Sequence, residues 1–276
     1  MTSATPLVVV TLANGLVEAN VYAYYNMVFL AVSALLSTFN NGLSAMFGDM
    51  LAKNELPALQ RAYGQYEYLY YALLGWGYAC AAILVMPFMG IYTRGITDAV
   101  YMRPLLAVLF VLAGLTTNIK TPQGMLLLSA GLFRETRVQS MIQAGINLTV
   151  SIALAPSLGI AGVLIGTIAA NVYRCIDQIF FIPKMVTKLS PVATLRRVGR
   201  MTALSCVAVL PALLLDIRPA SWGGWILWAV PTALWSLLVF AGGNLLMEHG
   251  NARDIAMRFR TAFARSGNSG GKGVSR

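Results

Sequence analysis

The sequence predicts an all-α membrane protein, a polytopic bundle of about eight transmembrane helices with the first one truncated. Of its 276 residues 58% are hydrophobic and only 11% are charged, against roughly 25% charged residues in soluble proteins. A soluble domain could not bury so much apolar surface, and a disordered chain is far less hydrophobic. Helices are expected, because a backbone in lipid must satisfy its own hydrogen bonds.

Eight apolar segments can be marked along the chain. They cover residues 6–15, 22–50, 66–92, 104–132, 139–154, 160–182, 201–215 and 225–247. A crossing takes about 20 residues, so the first segment is too short to cross a bilayer alone. We expect residues 1–190 to form the main bundle. Residues 191–250 have few polar side chains in their apolar segments, which predicts two peripheral helices.

The basic side chains are divided unevenly between the connections. Fifteen of the twenty follow the second, fourth, sixth or eighth segment, whereas three lie in the other connections. Because basic loops stay in the cytoplasm, we predict that both termini are cytoplasmic. The net charge of +10 then reflects orientation in the membrane, and no nucleic acid partner is expected.

Residues 251–276 form a basic tail. Ile255, Phe259 and Phe263 recur in it at four-residue spacing with arginines between them. This pattern predicts an amphipathic helix on anionic membrane lipid, with a solvated tail as the alternative. The Gly/Ser-rich residues 266–276 are predicted to be disordered.

Several polar side chains fall inside the apolar segments. Such residues are costly in lipid and usually face a bundle interior or a watery cavity. The second segment places three asparagines and three serines on one helical face. The sixth segment places Asn171, Arg174 and Gln178 on one helical face. Asp177 lies one turn from Arg174, close enough to form an ion pair. The asparagines of the second segment are Asn26, Asn40 and Asn41.

A lysine lies in the middle of the fourth segment. Lys120 shares a helical face with Thr117, Thr121 and Gly124, and Pro122 predicts a kink there. A cation in a cavity suits an anionic group such as a phosphate. Each polar set also has a structural alternative: helix–helix hydrogen bonds for the asparagines, snorkelling for Lys120, and a structural ion pair for Arg174 with Asp177.

Glycines in two segments predict close helix packing. Gly162 and Gly166 form a small-xxx-small surface at the start of the sixth segment, and Gly75 and Gly77 offer the same in the third. Such surfaces permit helices to slide, as alternating access requires, or simply to pack closely.

No catalytic, metal or cofactor site is predicted. The sequence has no Gly-rich phosphate loop, no metal-ligand cluster and no nucleophile–base motif. The cysteines, Cys80, Cys175 and Cys206, lie in apolar segments and are interpreted as small hydrophobic residues. The protein is therefore not expected to be an enzyme.

Five stretches, taken in order, resemble a known transporter family. They read NVYAYYNMV (20–28), FNNGLSAMFGD (39–49), LSAGLFRETR (128–137), AGINLTVSI (144–152) and GIAGVLIGTIA (159–169). This succession resembles the C-terminal half of Wzx-type polysaccharide flippases, which belong to the multidrug/oligosaccharidyl-lipid/polysaccharide (MOP) exporter superfamily. The similarity covers residues 5–190.

The resemblance implies a fold and a function. Members are MATE-like helical bundles of two lobes around a central cavity. They are thought to move lipid-diphosphate-linked oligosaccharides, the precursors of O-antigen, capsule and exopolysaccharide, across the bacterial cytoplasmic (inner) membrane by alternating access. This chain would supply one lobe and two accessory helices. Its expected partners are the lipid-linked glycan, membrane lipids and an N-terminal lobe, on the same or a separate chain.

The resemblance also implies roles for the polar residues. Lys120 and Arg174 would lie near the substrate diphosphate, and Asp177 would tune Arg174. Amide side chains would bind sugar hydroxyls. The amides of this hypothetical cavity are Asn26, Asn40, Asn41, Asn147, Asn171 and Gln178.

Three other functions compete with the flippase. A small-molecule or drug antiporter of the same superfamily usually needs an acidic residue within the membrane. Asp177 is the only clear mid-span acid, since Glu18 and Asp49 lie near segment ends, and this scarcity disfavours the antiporter. A membrane enzyme, such as a polysaccharide polymerase, would need a large loop, whereas the connection 183–200 is short and basic. The third competing function is that of a non-catalytic membrane subunit of a polysaccharide assembly machine.

Overall fold

The computed structural model describes residues 4–40, 42–214, 219 and 221–247, and these residues form helices and no strand. The all-α class is confirmed. A π-helical turn, Pro183–Thr187, continues the seventh helix. The α-helices are α1 (Ala4–Asn40), α2 (Leu43–Ala52), α3 (Leu56–Tyr92), α4 (Pro104–Ile119), α5 (Thr121–Ser129), α6 (Arg137–Leu158), α7 (Ile160–Ile182), α8 (Pro191–Leu214) and α9 (Trp222–Met247).

Six helical stretches among the described residues are long and apolar enough to cross a membrane, which indicates a multi-pass membrane protein. The predicted first segment is set apart from the span that follows it, because Gly15 has a non-helical backbone (φ 88°). The predicted seventh segment lies in α8, which is not among the six and carries three arginines. The six stretches are Gly15–Asn40, Leu56–Tyr92, Pro104–Ser129, Arg137–Leu158, Ile160–Thr187 and Trp222–Met247.

Two predicted segments are broken helices. The second is interrupted at Gly42, whose left-handed backbone (φ 86°) ends the run before α2 and is accessible to glycine at little cost. The fourth breaks at Lys120, between α4 and α5. This is the kink that Pro122 predicted, since a proline lacks an N–H and is accepted in the first turn of a helix.

The 37-residue helix α3 is the centre of the bundle. It packs against α1, α4, α8 and α9 and carries a run of buried tyrosines that includes Tyr63, Tyr66, Tyr70 and Tyr71. Helix α3 begins at Leu56, whereas the predicted segment begins at residue 66. The polar residues that precede the tyrosines therefore also belong to the helix.

Close packing of α6 on α7 through small residues is confirmed. A Cβ added to Gly162 would lie 2.5 Å from the Leu154 carbonyl group, and one on Gly166 would lie 2.3 Å from Ser151 Oγ. Gly75 plays the same part in α3, where the Phe240 ring of α9 fills the space. The prediction was wrong for Gly77, whose nearest neighbour would be at an ordinary contact distance of 3.4 Å.

Helices α8 and α9 pack against α3 and against each other. The face of α9 that carries Thr232, Ser236, Phe240 and Asn244 is buried. Most of the predicted connection over residues 183–200 is helical, because the π-helical turn and the first turns of α8 occupy it. The division of the chain near residue 190 stays a prediction. Asn41 and the tail lie outside the described residues.

Candidate functional site

A cavity of about 550 Å³ lies between α1, α2, α4, α5, α6 and α7. Four of the predicted site residues line it: Asn40, Lys120, Arg174 and Gln178. Residues at helix ends, among them Asn40, Leu128 and Ser140, belong to the wall. The cavity therefore lies at the bundle end where α1 finishes and α6 begins, which is the basic end of the molecule. The other lining residues are Ser44, Thr117, Thr121, Gly124, Met125, Leu128, Ser140 and Gln143.

Lys120 reaches the cavity because the chain breaks there between α4 and α5. Its Nζ donates a hydrogen bond to Asn171 Oδ1. Gln143 Nε2 donates to the same oxygen over 3.1 Å, and Asn171 Nδ2 donates to Thr117 Oγ1 over 2.8 Å. The partner of the ammonium group is therefore a neutral amide, and this network fixes its position.

Arg174 is compensated by a carboxylate. Its Nη1 lies 2.6 Å from Asp177 Oδ2, and the exposed side-chain fractions are 6% and 19%. The ion pair expected from the spacing is present. A buried cation with its own carboxylate adds little net charge to the cavity, so Lys120 contributes most of the local positive charge.

Gln178 offers a buried acceptor at the same wall. Its Oε1 has no hydrogen-bond partner among the described residues, and the side chain is almost wholly enclosed. Leaving a buried acceptor without a partner costs about 1–3 kcal/mol. A ligand hydroxyl or amine that donated to this oxygen would therefore be favoured.

Among the predicted asparagines that the structure describes, Asn26, Asn147 and Asn171 are not part of the cavity wall. Asn147 lies between α6 and α7, where its Nδ2 donates to Thr167 Oγ1 over 3.5 Å and its Oδ1 accepts from Ser151 over 3.4 Å. Asn147 thus forms hydrogen bonds between helices, which is the structural alternative to a role in ligand binding. Asn26 is half-buried on α1 but is not part of the wall. Asn40 does line it, and its Oδ1 accepts a hydrogen bond from Tyr66 over 2.8 Å.

Sequence reasoning missed a second polar centre, around Glu67. This residue lies in α3 and is only 1% exposed. Its Oε2 accepts from Arg197 Nη1 over 2.6 Å. Its Oε1 accepts from Tyr63 on α3 (3.2 Å), Gln123 on α5 (3.1 Å) and Thr194 on α8 (2.8 Å). Glu67 lies in the stretch Leu56–Tyr92, which is long and apolar enough to cross a membrane. It is a further acid of an apolar helix, and the position of Asp177 as the only clear mid-span acid stays a prediction.

A signal for this centre was present in the sequence. Glu67 is the single charged residue in a run of tyrosines from 63 to 71, and a lone carboxylate between aromatic side chains needs a buried cation. The basic residue that it finds, Arg197, is 130 positions away along the chain. Only the packing of α8 on α3 brings the two together.

A further ion pair lies at the opposite end of the bundle. Arg103 donates to both carboxylate oxygens of Glu18, over 2.7 and 2.6 Å, and this joins α1 to the residues before α4. Hydrogen bonding to Glu18 raises the pKa of Arg103. Arg103 therefore lies at the surface, in the connection between α3 and α4, and its ion pair with Glu18 holds it there.

No metal cluster is present in the part of the chain that the structure describes: no group of three or more His, Cys, Asp or Glu side chains could hold an ion. Comparisons with models of protein families, with curated proteins and with solved structures find no match to this chain. The function of this chain is therefore inferred from the residues of the cavity of about 550 Å³ and from the resemblance in the order of motifs.

Proposed function

We propose that this chain forms a cavity-bearing lobe of a flippase, a transporter that moves lipid-diphosphate-linked oligosaccharides across the bacterial cytoplasmic membrane by alternating access. The observation that carries the proposal is the cavity of about 550 Å³ that Lys120 and Arg174 share. The order of motifs, which resembles the C-terminal half of Wzx-type flippases, supports the same assignment.

The charges of this cavity suit a diphosphate. Lys120 has a neutral partner in Asn171, so its charge is available to an anionic group, whereas Arg174 shares its charge with Asp177. Ammonium–phosphate contacts are charge-assisted and stronger than neutral hydrogen bonds. The diphosphate would therefore lie nearest Lys120, with Arg174 as a second donor.

The rest of the wall suits a glycan. Amide and hydroxyl side chains both belong to it, and Gln178 presents an acceptor without a partner among the described residues. Sugars are bound through many such donors and acceptors. The volume lies within the range of about 300–1,000 Å³ that ligand sites usually have, enough for the diphosphate and the sugars next to it.

A second lobe would complete the site. Helix α6, which forms one wall of the cavity, leaves large apolar side chains such as Met141, Ile142 and Leu148 exposed. Lipid or another bundle must cover such a face. In the proposal a partner lobe, on the same or a separate chain, covers the face beside the cavity, and the basic end of the bundle faces the cytoplasm.

The experiment that tests the proposal is a binding measurement on the whole chain in nanodiscs, with a polyprenyl-diphosphate-linked oligosaccharide as the probe. Lys120→Gln should weaken binding about tenfold or more, because a hydrogen bond to a charged group contributes about 1.5–3 kcal/mol. The matched control is Lys53→Gln, since Lys53 is an exposed lysine on the same end of the bundle and pairs with Asp49. Equal binding by the two variants would refute the phosphate site.

One observation favours the antiporter alternative. Glu67 is a buried acid in addition to the partly exposed Asp177, which weakens the argument that such acids are too scarce. Both carboxylates are held by arginines, however. A pH-driven uptake assay with Glu67→Gln separates the two functions, because an antiporter that used Glu67 would lose its pH dependence whereas the diphosphate affinity of a flippase lobe would persist.

A further inference from the structure

We infer that the protein has a second binding site, which takes the phosphate-bearing headgroup of an anionic membrane lipid. The site is a separate cavity of about 330 Å³. Helix α5 contributes to both cavities, with Gly124 in the wall of the first and Gln123 in the wall of the second. The inference does not depend on the transport proposal, because it concerns other residues.

The second cavity opens where basic residues concentrate. Its walls come from the beginning of α3, from the end of α7 with the π-helical turn, and from the first turns of α8. Exposed lysines of the π-helical turn and its end, Lys184 and Lys188, lie on the same connection. The polar residues of the wall that matter here are Gln60, Arg61, Thr187, Ser190, Thr194 and Arg197.

The charges of the wall favour an anion. Glu67 is almost wholly enclosed and is compensated by Arg197, so the pair is close to neutral for a ligand. Arg61 remains at the surface, with its Nε donating to the Pro57 carbonyl of its own helix. A guanidinium group presents further N–H donors in a planar fork that matches phosphate oxygens. Arg61 is therefore the main phosphate ligand of this site.

The apolar part of the wall favours a lipid over a soluble phosphate. Ile179, Ile182 and Leu189 line the cavity together with the polar groups. An alkyl chain or glycerol backbone can contact these residues while the phosphate lies against Arg61. Basic pockets between transmembrane helices at the cytoplasmic surface bind lipid headgroups by this combination of contacts.

The walls are held in place by buried hydrogen bonds. Gln60 Nε2 donates to the Thr187 carbonyl over 2.8 Å and ties α3 to the π-helical turn. Glu67 holds Thr194 and Arg197, which lie in the first turns of α8. A cavity that is held open by its own residues needs little rearrangement to bind a ligand.

Native mass spectrometry of the whole chain tests the inference. The protein is taken from nanodiscs of phosphatidylcholine with a small fraction of phosphatidylglycerol, and the phosphatidylglycerol that it retains is titrated. Arg61→Gln should weaken retention about fivefold, the effect of one basic residue near the membrane surface. The matched control, Arg134→Gln, removes an exposed arginine from the same end of the bundle, outside the cavity, and should retain the lipid as the wild type does.

Two results would overturn the inference. Equal losses in the two arginine variants would mean that phosphatidylglycerol is held only by the general positive charge of the surface. Displacement of the lipid by inorganic phosphate from the wild-type protein would assign the site to a soluble phosphate. Ala193→Phe, which fills the cavity from α8, provides a second check, because it should expel the lipid without changing the charge. Since the readout is retention of phosphatidylglycerol, its failure would leave the oligosaccharide-binding test unaffected.

Discussion

Lys120 and Arg174 line one cavity but differ in what balances their charge. The ammonium group of Lys120 has an amide as its partner, whereas Arg174 has the carboxylate of Asp177 at 2.6 Å. In a medium of low polarity an uncompensated charge acts more strongly on a ligand, because less of its field is cancelled nearby. Single residues therefore set the electrostatic strength of this site.

Asp177→Asn should have two opposite effects. Loss of the carboxylate leaves Arg174 buried without its compensating charge, so the free energy of unfolding should fall by roughly 2–3 kcal/mol. This is less than the 3–5 kcal/mol of a wholly enclosed pair, because Asp177 is partly exposed. The affinity for a diphosphate ligand should rise, since Arg174 gains net charge.

Denaturant unfolding in detergent and the nanodisc binding assay measure these two effects. The control is Asp49→Asn, which breaks the exposed pair with Lys53 and should leave the unfolding free energy almost unchanged, because exposed ion pairs contribute little. If Asp177→Asn weakened diphosphate binding, the assignment of Arg174 as a phosphate donor would be wrong.

At the scale of the elements, glycines determine how closely two helices approach. Gly166 of α7 lies against Ser151 of α6, and an added Cβ would lie 2.8 Å from the Ser151 backbone nitrogen. Backbone atoms cannot move aside as a flexible side chain can. The pair α6–α7 is therefore a closely packed unit, and each of these helices contributes to the wall of the 550 Å³ cavity.

Gly166→Ala should separate α6 from α7 and lower the unfolding free energy by about 1–3 kcal/mol, the usual effect of overpacking. The matched control is Gly145→Ala on α6, where an added Cβ meets nothing within 4 Å. Alanine there should stabilise the helix by roughly 0.5–1 kcal/mol. Thermal unfolding of the two variants tests whether Gly166→Ala lowers the stability while Gly145→Ala raises it. A loss of stability in both variants would contradict the packing argument.

At the scale of the whole molecule, one carboxylate connects three helices. Glu67 on α3 accepts hydrogen bonds from Gln123 on α5 and from Thr194 and Arg197 on α8. Gln123 lies one turn after Lys120, in the short helix that contributes to both cavities. A change at Glu67 should therefore be felt in the wall of the second cavity and in the docking of α8.

Glu67→Gln should lower the unfolding free energy by about 3–5 kcal/mol, because it removes the buried carboxylate that forms the ion pair with Arg197. The double variant with Arg197→Met should recover part of this loss, and a double-mutant cycle gives the coupling. Glu18→Gln breaks the more exposed pair with Arg103 and should cost less. Additive effects of the two Glu67–Arg197 substitutions would show that the pair contributes no coupling.

The distribution of charges predicts the orientation of the whole bundle in the membrane. We expect the connection between α2 and α3 to face the cytoplasm and the connection between α3 and α4 to face outward. With Cys80, Cys175 and Cys206 replaced, a membrane-impermeant maleimide added to intact cells should label Thr97→Cys and not Glu55→Cys, both at exposed positions. The reverse labelling pattern would invert the topology and place both cavities on the outer side.

The helical regions could be predicted from the sequence because apolar runs of sufficient length can exist in lipid only as helices. The predicted span 160–182 has the bounds of α7. The site could be predicted only in part. Lys120, Arg174, Gln178 and Asn40 converge. Asn26 shares the predicted helical face of Asn40 but is not part of the wall, because a helical face does not specify which neighbour it meets.

The sequence by itself determined the all-α class, the membrane-crossing helices, the kink before Pro122 and the Arg174–Asp177 pair, since each depends on residues that are neighbours along the chain. Only the tertiary structure decided that Glu67 meets Arg197 across 130 positions, that Asn147 joins α6 to α7, and that two cavities lie beside α5. These contacts depend on which helix faces are packed together, and such packing is set by side-chain shapes over the whole bundle.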